Sequence, residues 1–86
     1  MAKYRVELTH SAEKALYRLP KTVLPKVITA LENLGTDPRP TGSRKLSGQA
    51  DTYRIRVQKY RIIYEVYDEI IVVKVLKIGH RKDVYR

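Results

Sequence analysis

The chain has 86 residues, enough for one small domain with a modest core, and its 43% hydrophobic content rules out wholesale disorder. Eighteen lysines and arginines against 9 aspartates and glutamates give a net charge of +9, which favours a polyanionic partner, nucleic acid first, over a neutral or acidic one. There is no cysteine, which removes disulfides and thiolate metal sites, and no apolar run approaches the roughly 20 residues that a membrane-spanning helix needs.

The opening MAKYRVELTH lacks the apolar stretch of a signal peptide, so a single domain over residues 1–86, cytoplasmic and with no membrane partner, is expected. Residues 3–8 alternate, with Tyr4, Val6 and Leu8 on one side and Arg5 and Glu7 on the other, which predicts a strand. Thr9 and Ser11 can both cap a helix, and Ala12, Ala15, Leu16 and Leu19 then recur at helical spacing until Pro20 ends it. Thr22 is placed to cap a second helix with Pro25 in its first turn, and Val27, Ile28, Leu31 and Leu34 supply its apolar stripe up to Gly35. The result is a helical hairpin.

Residues 35–51 lose all periodicity and read as a long surface loop anchored by Leu46, with Arg44 and Lys45 as basic residues that could meet an anion. Gly42 and Gly48 lack the spacing of a phosphate-binding loop. From Thr52 onward three strands are predicted, joined by two-residue turns at Gln58-Lys59 and Asp68-Glu69, so that Val57 faces Tyr60 and Tyr67 faces Ile70. That register puts Tyr53, Ile55, Val57, Tyr60, Ile62, Tyr64, Val66, Ile71, Val73 and Val75 on one face, as the core. Arg54, Arg56, Arg61, Ile63, Glu65, Val72, Lys74 and Leu76 take the other, with Arg56 directly across from Arg61.

The first strand must pair with an edge of this antiparallel meander, and the helices can bury their apolar stripes only on its apolar face. The expected fold is therefore α+β, with two helices on one face of a four-stranded sheet and the basic face open. Like charges set opposite each other cost stability, which makes sense if an anion lies over them.

Catalytic metal chemistry finds no support in the sequence, since the only histidines, His10 and His80, have no ligand-like spacing; no cofactor is expected. No serine sits in a nucleophile elbow. Phosphate chemistry fits better. Arginines grip a phosphate bidentately and stabilise added charge on it, while histidine, lysine or tyrosine moves protons, and an RNA strand brings its own 2'-hydroxyl nucleophile. Arg54, Arg56, Arg61 and Lys74 on the strands, with His80, Arg81, Lys82 and Tyr85 in the tail, are the residues that could do this.

Lys45-Leu46-Ser47-Gly48, Tyr53-Arg54-Ile55-Arg56-Val57, the run from Tyr60 through Arg61 to Val66, and Ile78-Gly79-His80-Arg81-Lys82-Asp83-Val84-Tyr85 together resemble the RelE branch of the RelE/ParE toxin superfamily. The resemblance implies a type II toxin that enters the ribosomal A site, meeting mRNA and ribosomal RNA there, and cuts the mRNA. It also implies a cognate antitoxin that holds the toxin inactive in a hetero-oligomer. Arg61, Arg81 and Tyr85 match catalytic positions, and Arg54 and Arg56 match basic positions that bind phosphate or transfer protons. The family's best-studied member has lysines where Arg54 and Arg56 stand and an arginine where Ser47 stands. A guanidinium stays protonated, so the base role passes to His80 or to a deprotonated Tyr85. The alternative readings are a ParE-like non-enzymatic inhibitor of DNA gyrase and a plain RNA-binding module.

Overall fold

The structure, a computed structural model, describes residues 3–46, 48 and 51–80. Strand β1 (Arg5–Leu8) turns Val6 and Leu8 toward the core and leaves Arg5 and Glu7 in solvent. Helix α1 (His10–Tyr17) is capped by Thr9 and not by Ser11: the Thr9 hydroxyl accepts from the Ala12 amide at 3.1 Å and donates to the Leu76 carbonyl at 3.0 Å. One side chain thus starts the helix and ties it to the sheet.

Helix α2 (Leu24–Thr36) has Val23, not the expected Thr22, at its N-cap and no side-chain cap there; the amides of Val23 and Leu24 instead both donate to the Pro20 carbonyl. Val27, Leu31 and Leu34 are buried as their spacing predicts, whereas Ile28 is exposed. Gly35 lies inside the helix, and its carbonyl accepts from the amides of Lys3 and Tyr4, which fixes where β1 begins. Neither helix is long and apolar enough to cross a membrane.

The remaining strands are β2 (Arg44–Lys45), β3 (Thr52–Val57), β4 (Tyr60–Tyr67) and β5 (Val72–His80), and the sheet runs β1-β5-β4-β3-β2. The fold is the expected α+β arrangement, but with five strands instead of four. The extra one is β2, two residues of the supposed loop that pair antiparallel with β3, while β1 joins β5 in parallel. The β3–β4 hairpin has the predicted two-residue turn and the predicted register.

The β4–β5 hairpin departs from expectation. Tyr67 faces Val72, not Ile70, so four residues make the connection, and Ile70 and Ile71 are exposed rather than joining strand and core. Ile71 adopts φ 56°, a left-handed conformation that a β-branched residue rarely takes and that turns the chain into β5. Farther along, Tyr64 faces Val75 but Ile63 faces Lys77, which leaves Leu76 as an extra residue in β5. Such a bulge flips the side-chain parity beyond it. Ile78 therefore enters the core beside Ile62, Tyr64, Val66, Val73 and Val75.

A polar clamp closes the end of the core that the helices leave open. Arg39 grips Asp68 with both terminal nitrogens at 2.8 and 3.2 Å, donates through Nε to the Tyr53 hydroxyl at 2.9 Å, and lies 5.2 Å from the Tyr53 ring centre. Tyr4 donates to the same carboxylate at 2.6 Å. Arg39 and then Tyr4 hold the Asp68 carboxyl below the usual carboxylate range. Tyr53 stacks on Tyr64, whose buried hydroxyl donates to the Pro38 carbonyl at 2.8 Å and is pushed by burial up to about 12. The segment after α2 is thus fastened to β3 just before it supplies β2.

Candidate functional site

The face of the sheet without helices is ordered by register into rows. At the end near the β4–β5 turn, Glu7, Lys74, Glu65 and Thr52 form one row, so acidic and basic groups alternate. Beyond the bulge the next row is Lys77, Ile63, Arg54 and Arg44. The last row is Gly79, Arg61 and Arg56. Partners in a row stand roughly 5 Å apart, so the basic side chains of the last two rows share a small area into which no carboxylate of these rows intrudes. The charge of this face is concentrated at one corner.

Within that corner the side chains differ in exposure. Arg56 is exposed, whereas Arg54 and Arg61 are half-buried, and the Arg61 Nε is shut away from solvent. Ile63, between Arg54 and Lys77, is buried although it faces outward, as expected where aliphatic stems of basic residues flank an apolar one. Gly79 contributes no side chain beside Arg61. Two neighbouring guanidiniums can take up the oxygens of a phosphate.

The structure brings together only part of the predicted set. Arg54, Arg56, Arg61 and Arg44 share the basic corner, but Lys74 is set apart between Glu7 and Glu65, and Lys45 pairs with Tyr53, which belongs to the helix side. His80 is also on the helix side: it pairs with Tyr60, and their rings meet edge to face at 5.7 Å. Arg81, Lys82 and Tyr85 lie outside the described residues. Among the described residues no three acidic or histidine side chains gather as a metal site would require.

The family model described as the ParE toxin of type II toxin-antitoxin systems, parDE, matches residues 6–85. Toxin RelG of Mycobacterium tuberculosis is 33% identical over 84 residues, covering 96% of this chain and 97% of that one. The mRNA interferase toxin RelE of Escherichia coli K12 is 32% identical over 81 residues, covering 92% and 84%. The crystal structure of an archaeal RelE–RelB complex from Pyrococcus horikoshii superposes with a TM-score of 0.83 at 33% identity, covering 95% of this chain and 99% of that one. The chain belongs to the RelE branch of the RelE/ParE toxin superfamily.

In this RelE-type toxin, Lys77 is the basic residue that sequence reasoning missed. The expected register set Lys74 beside Ile63 and Leu76 beside Arg61; the longer turn and the bulge together put Lys77 and Gly79 there instead. Arg39 was also missed, because its partners Tyr53 and Asp68 lie 14 and 29 residues away along the chain. No local spacing signals such an interaction.

Proposed function

We propose that this toxin is an endoribonuclease that acts in the ribosomal A site, cuts mRNA there without a metal or other cofactor, and is held inactive in a hetero-oligomer with a cognate antitoxin. The observation that carries this reading is the pairing of Arg56 with Arg61 next to Arg54, on the sheet face away from α1 and α2. These guanidiniums are suited to hold the non-bridging oxygens of a phosphate and to stabilise the charge that builds up as its coordination expands.

In the reaction the 2'-oxygen of the RNA forms a bond to phosphorus while the bond to the 5'-oxygen of the next nucleotide breaks. One proton leaves the 2'-hydroxyl and another reaches the departing 5'-oxygen. Arginine cannot accept the first of these, and the helix-side position of His80 favours Tyr85 as the group that does. Arg81 joins Arg61 on the phosphate, while Lys82, Arg44 and Lys77 strengthen the attraction for RNA. The names of the relatives support the reading: one is an mRNA interferase toxin, and the solved archaeal RelE is in complex with RelB.

The test is to add the purified toxin to translating ribosomes and map mRNA ends. Cleavage within the A-site codon is expected. Intact mRNA together with gyrase-linked DNA breaks would establish the ParE-like alternative instead.

A further inference from the structure

On the opposite face of the same sheet end lies a cavity of about 570 Å³ between α1 and the β4–β5 ladder, which the function proposed above does not use. That size falls within the roughly 300–1,000 Å³ of small-molecule sites. His10, Lys14 and Arg18 line one wall, spaced four residues apart so that they form a single stripe along α1, and His80 stands across from them. Among the described residues the lining contains no carboxylate. Lysine and arginine four apart on a helix repel each other, so this stripe costs stability in the absence of an anion.

Apart from Ser11, the rest of the described lining is apolar or aromatic. Leu19 and Ile78 lie on the core side, and the Tyr60 ring meets the His80 ring edge to face at 78°, which gives the cavity an aromatic corner beside its cations. Metal cations are disfavoured by Lys14 and Arg18, and a purely inorganic anion would leave the apolar surface unused. A ligand that carries both a negative charge and a planar ring satisfies both halves, as in single-stranded nucleic-acid sites that combine cations with aromatic platforms.

We infer that this cavity is a second binding site and takes a phosphorylated nucleoside, whose phosphate lies against Lys14, Arg18 and the imidazoles and whose base lies against Tyr60, Leu19 and Ile78. The ligand is a free nucleotide or one nucleotide of an RNA strand, since the recognising chemistry is the same. The assignment does not depend on whether the arginine corner cuts RNA.

The experiment is an amide-shift NMR titration of the full chain with adenosine 5'-monophosphate, inorganic phosphate, adenosine and a short oligoribonucleotide. It is repeated on a Lys14→Ala/Arg18→Ala variant, whose substituted side chains are exposed. The expected result is shifts at residues 10–20, 60 and 78–80, with the monophosphate bound about tenfold more tightly than phosphate or adenosine and weakened about tenfold in the variant. The same shifts with tighter binding of the oligoribonucleotide support the site and identify an RNA strand as its source; their absence with the oligoribonucleotide, but not the monophosphate, supports a free nucleotide. Shifts confined to the arginine strands, unchanged affinity in the variant, or phosphate binding as well as the monophosphate would overturn the inference. Displacement of the monophosphate by a polyglutamate peptide would do so as well, by assigning the cavity to an acidic protein segment.

Discussion

Arg56 and Arg61 face each other across the β3–β4 hairpin, on the side of the sheet away from α1 and α2. The two-residue turn at Gln58 and Lys59 leaves the pair no way to slip apart without turning every neighbouring core residue outward. Two guanidiniums are therefore held opposite each other by a tightly constrained part of the sheet. Arg61→Ala is expected to lower single-turnover mRNA cleavage by about a hundredfold or more, in line with loss of one preorganised charge at a transition state. Stability should fall by about 1–2 kcal/mol, because the half-buried Arg61 stem loses its packing. A variant with an unchanged melting temperature and undiminished cleavage would remove Arg61 from the catalytic set.

The turn itself is strained. Gln58 holds φ 55°, where a side chain costs about 1–2 kcal/mol, and glycine escapes that cost while losing some chain entropy on folding. Gln58→Gly should raise stability by up to about 1 kcal/mol in urea unfolding. Lys59→Gly should lower it, since Lys59 is not in the left-handed region and gains nothing. Equal effects of the two substitutions would show that the turn conformation is not what limits this hairpin.

The clamp beneath the core makes a statement about alkaline pH. Burial raises the Tyr64 hydroxyl from its ordinary value of 10.0 to about 12 in the folded protein. The neutral form is thus favoured by folding, so this contribution is fully present below about pH 10 and is lost as pH rises through about 12. Tyr64→Phe removes the bond to the Pro38 carbonyl and should cost about 1–3 kcal/mol near neutrality. The gap between wild type and variant should narrow steadily as urea midpoints are measured from pH 9 to 12. A constant gap over that range would mean that the Tyr64 hydroxyl titrates alike in the folded and unfolded states.

How much of this was legible in the sequence follows from how each feature is encoded. The arginine pair was legible because Tyr53, Ile55 and Val57 alternate cleanly up to a turn and Tyr60 and Ile62 resume on the same face. The second hairpin was not, because Val72-Val73 and Val75-Leu76 are apolar on both parities, so hydrophobic pattern alone supports either register. No glycine marks the bulge at Leu76. Strand β2 escaped for a different reason: its two residues are both basic and exposed, and only pairing with β3 makes them a strand. Unbroken alternation from Lys74 would set His80 on the arginine face, and it is the bulge at Leu76 that turns it to the helix side.

The bulge also separates two lysines that the sequence makes look alike. Lys74 and Lys77 are both exposed residues of β5, but Lys74 lies between Glu7 and Glu65, whereas Lys77 lies beside Ile63 in the row that holds Arg54 and Arg44. A phosphate near Lys74 would meet two carboxylates within about 5 Å, and their repulsion cancels most of the attraction that the lysine supplies. Near Lys77 the neighbouring charges in the row are both arginines. Lys77→Ala should therefore weaken binding of a single-stranded oligoribonucleotide and reduce the slope of log affinity against log salt by about 0.7, as follows when the protein neutralises one phosphate fewer. Lys74→Ala should leave both quantities nearly unchanged. If the two substitutions act equally, RNA lies across the whole open face and the concentration of charge in one corner does not direct it; if Lys74 alone matters, the strand runs along the acidic row and the arginine corner is not where the phosphate sits.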